Sequence, residues 1–167
     1  MEFKLLFFAC YFLFKKIERA KMNKKIFYLV YGVPGSGKST YVEKELKTKY
    51  KDLQHFEADM FFYNKNGIYQ FNPKKLGLAH KWCQTKFIEA MKNGFPVCVS
   101  NTSLTPKERE VYFTKATAHD YEIHVHYCNG RFQNVHGVPE EKVEKMKNKL
   151  IPITEKEISE FKIHFDN

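Results

Sequence analysis

The stretch Gly32-Val33-Pro34-Gly35-Ser36-Gly37-Lys38-Ser39-Thr40 constrains this chain more than any other. It fits G-x-x-x-x-G-K-[ST], the phosphate-binding P-loop. Positions without a Cβ let successive backbone N–H groups turn inward around phosphate oxygens. In such a loop Lys38 reaches the β- and γ-phosphates of a nucleotide, and the Ser39 hydroxyl ligates a metal. ATP and Mg²⁺ are therefore the expected cofactors. Gly32, Pro34, Gly35, Ser36, Gly37, Lys38, Ser39 and Thr40 form the cradle, and Ser39 is the metal ligand.

The flanking sequence has the order this loop requires. Ile26–Tyr31 is a short apolar, β-branched and aromatic run and reads as a buried strand. Residues 40–50 place Tyr41, Val42 and Leu46 among Lys and Glu, the pattern of a short helix with a solvated face. Its N-terminal partial charge would lie beneath the phosphates.

The pattern then alternates. Residues 53–58 read as a second strand ending at Asp59, and 61–71 as an aromatic loop turning at Asn66-Gly67. A helix over 73–93 follows, with Asn72 as cap, Pro73 in its first turn and Gly94 as its stop. Residues 95–100 form a third strand. Thr105-Pro106-Lys107-Glu108 opens another helix, with Thr105 as its cap. Residues 121–128 give a fourth strand, and Gly137-Val138-Pro139 leads into a charged helix ending near Leu150. Residues 154–161 form a last short helix. Strands alternating with helices predict an α/β fold of the P-loop NTPase kind. It has a parallel sheet of about four or five strands flanked by helices, a C-terminal helical lid, and ligands at the carboxyl ends of the strands.

Other chemically capable residues fall on that same edge. Asp59 could accept a proton from a substrate hydroxyl, stand near Mg²⁺, or cap the next segment. The third strand ends in Ser100-Asn101-Thr102-Ser103, where many P-loop ATPases place a metal-binding Asp and this chain has none. Asn101 and Thr102 suit hydrogen bonding to a substrate hydroxyl or phosphate, or a polar strand-end turn. Arg131, beside Gly130, could clamp a phosphoryl group as charge builds up. Lys142, Lys145 and Lys149 share a helical face that could line a lid or be solvated. Phe61, Phe62, Tyr63 and Tyr69 offer rings on which an acceptor base could stack. His124 and His126 share a strand face but lack partners at metal-ligand spacing. Trp82, Phe87 and Met91 fall at helical spacing and read as core.

A length of 167 residues indicates one domain, and an apolar fraction of 43% supports a core. Cys10, Cys83, Cys98 and Cys128 are scattered without a C-x-x-C pair, as expected of reduced thiols in a cytoplasmic protein. Residues 1–25 hold seven basic and two acidic side chains, about half of the net charge of +9. The remainder is mildly basic, which suits an anionic substrate. Phe3 to Phe14 is apolar but too short for a membrane-spanning helix. Residues 1–21 are read as an extension, either an accessory or mis-assigned start or an element that docks on a membrane surface or a partner. The folded domain is expected over 22–167, with Met22 as a possible start.

Taken together, Gly32 to Thr40, Asp59, the segment 76–83, Asn101-Thr102-Ser103, Arg131 and His136-Gly137-Val138-Pro139 resemble the polynucleotide-kinase-like branch of the P-loop kinases. That branch includes the kinase domains of phage polynucleotide kinase and of a ubiquitin-ligase-binding protein with an Smr domain. The likeness covers about residues 24 to 150. It implies transfer of the γ-phosphate of ATP to the 5′-hydroxyl of DNA or RNA. Lys38 and Ser39 would bind ATP and Mg²⁺, Asp59 would be the general base, and Arg131 the lid arginine. The chain departs from the pattern twice. Phe62 replaces an arginine that holds substrate phosphate in the phage enzyme, and Ser103 replaces an asparagine. Two other functions fit the same residues: a kinase of a nucleotide or other small metabolite, or a slow ATPase acting as a nucleotide-binding switch.

Overall fold

The computed structural model describes residues 25–133 and 137–166. The expectations for residues 1–21, for a start at Met22 and for His136 lie outside these residues. Five parallel strands form one sheet in the order β2-β3-β1-β4-β5. They are β1 (Ile26–Tyr31), β2 (Gln54–Phe56), β3 (Val97–Val99), β4 (Glu122–Tyr127) and β5 (His164–Phe165). β1 is central and buried along its whole length, the consequence of an uninterrupted apolar run covered on both faces.

Side-chain alternation divides the core between the two faces of the sheet. Phe27, Leu29 and Tyr31 of β1 point to one side with Val97, Val99, Ile123 and Val125. There they meet Cys83 and Phe87 of α2 (Leu76–Lys92) and Phe113 of α3 (Pro106–Ala118). Ile26, Tyr28 and Val30 point to the other side, against Val42 and Leu46. These belong to α1, which runs as Lys38–Tyr41, a π-helical turn at Val42–Leu46, and Lys47–Lys49. Phe87 and Met91 are core as expected, and Trp82 packs at its margin. Cys83, Cys98 and Cys128 are free and buried, and burial raises the pKa of each thiol.

Several local features differ from the expected pattern. β2 is shorter than 53–58, because the chain turns into a 3₁₀ helix, Ala58–Phe62, that places Asp59 in its first turn. The aromatic segment is a small hairpin with Tyr63 bridged to Tyr69, and Gln70 N–H donates to Phe62 O at 2.8 Å. Its tip is closed by Asn64 Oδ1, which accepts from Asn66 and Ile68 N–H. Asn72 caps as expected, accepting from Lys74 N–H at 3.0 Å. Thr105 occupies the N-cap of α3 without a side-chain cap bond; instead Glu108 Oε2 accepts from Leu104 N–H at 2.8 Å. β5 was not anticipated beyond the helix α5 (Glu155–Phe161); two exposed residues are too short for a period-two signal.

α4 (Glu140–Lys149) returns across the phosphate-loop end of the sheet, where Val143 is buried against Val33 and Leu104. α5 is held by a capping box between Thr154 and Glu157. Glu157 also meets Arg109 of α3, whose side chain is fully buried. The guanidinium donates to Glu157 Oε1 and Oε2, both at 2.8 Å, and to the carbonyls of Ser103, Ile151 and Pro152. All five of its N–H donors are thereby used.

His124 and His126 share the α1 face of the sheet. His124 lies between Glu122 Oε1 at 2.6 Å and Asp166 Oδ1 at 3.1 Å, and His126 stacks on Tyr41. Among the described residues these histidines do not join a group of three or more His, Cys, Asp or Glu side chains that could hold a metal.

Candidate nucleotide and acceptor site

The loop between β1 and α1 folds as its glycines permit. Gly32 has φ 146°, and a Cβ there would stand 2.3 Å from Cys128 O. Gly37 has φ 97° and lets the chain turn into α1. The loop is pinned by Gly32 N–H to Thr102 O at 3.2 Å and Ser36 N–H to Val33 O at 3.2 Å. From the far side, Gly130 N–H donates to Ser36 O and Phe132 N–H to Gly35 O.

Tyr41 N–H bonds to Gly37 O at 3.0 Å, so the amides of Lys38, Ser39 and Thr40 are the open donors of the helix start. Lys38 Nζ lies across the loop, donating to Gly32 O at 3.0 Å and Val33 O at 2.9 Å. Burial lowers its pKa, and the Glu57 carboxylate opposes that shift. The Ser36 hydroxyl is buried without a partner among the described residues. Open amides, a held cation and an unpaired hydroxyl around one turn form an anion cradle. These residues fit the phosphates of a nucleotide.

The opposite wall rises from the ends of β2 and β3. Glu57 Oε1 accepts from Ser39 Oγ at 2.9 Å and from Ser100 Oγ at 2.7 Å, with His55 Nε2 at 3.2 Å. His55 Nε2 is also 2.7 Å from Ser100 Oγ. Burial would raise the Glu57 pKa, but the His55, Ser100 and Ser39 contacts outweigh it and hold the group at about 2. Sequence reading missed Glu57. The carboxylate sought at the end of the third strand stands instead on the neighbouring strand, level with Ser100. The acidic pair Glu57-Ala58-Asp59 was the available signal. Ser39 Oγ and Glu57 are the side chains suited to hold Mg²⁺, directly or through its water.

Because the folded pKa of Glu57 lies below its ordinary 4.5, its stabilising contribution is present above about pH 4.5. It is lost as the pH falls toward about 2, and the shift corresponds to about 3 kcal/mol. Urea unfolding measured across this window should show stability falling steeply in the wild type. Glu57→Gln should remove much of that slope.

Asp59 stands two residues beyond Glu57, and its Oδ1 accepts from Tyr69 OH at 3.0 Å. Asn101 is buried at the base of this wall. Its Oδ1 accepts from Ala58 N–H at 2.8 Å, and its Nδ2 donates to Tyr112 OH at 3.1 Å and toward Cys83 Sγ. Its hydrogen bonds therefore hold the Asp59 segment against β3. Thr102 borders the cleft and receives the Gly32 amide through its carbonyl.

One cavity of about 420 Å³ joins these groups, lined among others by Lys38, Ser39, Glu57, Asp59, Asn101 and Thr102. Tyr69, Phe71, Leu76 and His80 close it beyond Asp59, and Val138, Lys142 and Met146 close it on the α4 side. Of the three lysines on the expected lid face, Lys142 borders the cavity, whereas Lys145 pairs with Glu141 at 2.6 Å. Two expected site residues are placed elsewhere. Phe62 is buried in the core, edge-on to Tyr69 and Phe71, and does not line the cavity. Arg131 is exposed outside the lining, while the adjacent Phe132 ring lies against Gly37 and Gly130.

A parallel sheet with this loop at its central strand, and a carboxylate beside the loop serine, defines a nucleotide-binding protein of the P-loop kinase class. Residues 28–145 match the family described as AAA domain. The chain belongs to this family of P-loop kinase domains, in agreement with the polynucleotide-kinase-like resemblance. NEDD4-binding protein 2 from Homo sapiens is 31% identical over 131 residues, covering 72% of this chain and 7% of that protein. The chain thus spans a small part of that relative's length.

Solved structures share the fold. A chain of the Pnkp1/Rnl/Hen1 complex aligns with a TM-score of 0.53 at 20% identity, covering 74% of this chain and 39% of that one. A gluconokinase from Sinorhizobium meliloti 1021 aligns with a TM-score of 0.54 at 16% identity, covering 86% and 82%. Chaetomium thermophilum Kti12 in complex with ADP-AlF3 aligns at 0.51 and 14% identity, covering 84% and 88%. Among the described residues no helix is long and apolar enough to cross a membrane.

Proposed function

We propose that this protein transfers the γ-phosphate of ATP to a hydroxyl group, and that the acceptor is the 5′-hydroxyl of a polynucleotide. The observation that carries this reading is the single cleft bounded by Lys38 and the α1 amides on one wall and by Asp59 on the other. Lys38, the amides of Lys38, Ser39 and Thr40, and the loop hold the phosphates. Ser39 and Glu57 would hold Mg²⁺, which would supply charge neutralisation at the phosphates. To do so, Lys38 exchanges its bonds to Gly32 O and Val33 O for phosphate oxygens. Asp59 accepts the proton of the attacking hydroxyl and aims its oxygen in line with the γ-phosphate. Tyr69 orients the Asp59 carboxylate through its hydrogen bond to Oδ1, and Asn101 fixes the backbone that carries it. Thr102 offers a hydroxyl to the acceptor.

The polynucleotide acceptor is supported by the family resemblance and by the similarity to a chain of the Pnkp1/Rnl/Hen1 complex. The test is transfer of labelled γ-phosphate to single-stranded DNA and RNA bearing 5′-hydroxyls. Transfer by the wild type, reduced about 10²-fold or more in Lys38→Ala, is expected. A protein that binds ATP and phosphorylates only a sugar or nucleoside would replace this acceptor with a small metabolite. Slow ATP hydrolysis with no acceptor at all would make it a switch.

A further inference from the structure

Residues 60–88 hold five lysines and no aspartate or glutamate, although the chain as a whole has 19 acidic residues. Among the described residues, Lys65, Lys74, Lys75 and Lys81 form no ion pair, and only Lys86 is matched, by Glu89 at 2.8 Å. The same segment exposes large apolar side chains. Tyr63 is 48% and Phe71 46% exposed, and Ile68, Leu76 and Leu78 are exposed as well. The rings are held in place. Tyr63 and Tyr69 lie 5.1 Å apart across the hairpin bridge, and Phe71 packs edge-on to the buried Phe62 at 5.0 Å. The strip also begins at the reaction centre, since Tyr69 bonds Asp59 and Tyr69, Phe71, Leu76 and His80 line the cleft.

We propose that this strip is the path of a single-stranded polynucleotide leading away from the cleft. The nucleotides following the reacting 5′ end stack on Tyr63 and Phe71, and Lys65, Lys74 and Lys75 neutralise their phosphates. The inference rests on the acceptor reading above and locates it on the surface. Charge complementarity selects a polyanion, and exposed aromatic rings in the same lysine-bearing segment select one that carries bases. The strip lies beyond Asp59, so it serves the acceptor and not ATP. Phe62 is buried in the core, so the lysines outside the cleft are the cations that face the downstream phosphates.

The experiment uses the full chain and two readouts. The first is anisotropy of a labelled single strand of about twelve nucleotides, titrated at several salt concentrations. The second is steady-state transfer to that strand and to a dinucleotide with a free 5′-hydroxyl. The triple variant Lys65→Ala/Lys74→Ala/Lys75→Ala should weaken binding of the long strand about tenfold. It should also lower the slope of log K against log salt by about 2, or about 0.7 per lysine. Its kcat and KM for the dinucleotide should match the wild type. Tyr63→Ala should weaken the long strand without changing the salt slope. A control triple at Lys107, Lys115 and Lys156, exposed on α3 and α5, should leave both readouts unchanged.

An unchanged slope in the test triple, or an equal loss in the control, overturns the path. So does a strip whose lysines capture polyglutamate but not the strand, which would make it a dock for an acidic protein. Transfer that does not depend on strand length keeps the acceptor reading and overturns the path. Lysine-dependent strand binding without transfer keeps the path and removes the acceptor reading.

Discussion

Arg109→Met should destabilise the protein by about 3–5 kcal/mol, a large part of the 5–15 kcal/mol that holds a domain of this size together. The change leaves Glu157, only 6% exposed, without the cation that compensates its burial. Burial would raise the Glu157 pKa, and hydrogen bonds from Arg109 and Thr154 hold it below the ordinary value. The change also strips a donor from the carbonyls of Ser103, Ile151 and Pro152. Ser103 sits at φ 46°, a left-handed conformation that the Arg109 bond helps to fix. Loss of the guanidinium should therefore loosen the Asn101–Ser103 edge of the cleft as well as α5. Arg109→Lys should recover little, because an ammonium lacks the planar fork that reaches both Glu157 oxygens. The double change Arg109→Met/Glu157→Met should recover much of the loss. Urea midpoints of the four proteins check this. A single Arg109→Met protein within about 1 kcal/mol of the wild type would show that the network contributes little.

Asp59→Asn should lower kcat for phosphoryl transfer about 10²–10⁴-fold while leaving the KM for ATP nearly unchanged. The side chain lines the same cleft as the phosphate loop, so under the proposed function its loss should affect the acceptor oxygen and not nucleotide binding. Asparagine keeps the shape and can still accept from Tyr69, but it cannot take a proton. A variant that retained full kcat would remove the general-base role. The residue would then be a scaffold for the hairpin, held by Tyr69.

Much of the site was legible because its parts are contiguous. The phosphate loop occupies nine consecutive residues between a strand and a helix, and local backbone chemistry alone dictates its turn. Asp59, Asn101 and Thr102 were legible because each follows a strand, and parallel strands bring their carboxyl ends to one edge. Phe62 was misleading for the same local reason. Its spacing from Asp59 suggested the acceptor pocket, but the 3₁₀ turn at Ala58–Phe62 rotates its ring into the core.

By itself the sequence determined the α/β architecture, the central buried strand, the phosphate loop and the sheet edge on which the candidate site residues gather. Short-range periodicity and backbone requirements suffice for these. Only the tertiary structure decided which groups complete the cradle and what locks it. Glu57 meets Ser39 across 18 residues and Ser100 across 43, and Arg109 meets Glu157 across 48. Such contacts depend on strand order and register, which bring distant side chains within hydrogen-bond reach and leave no period in the chain to announce them.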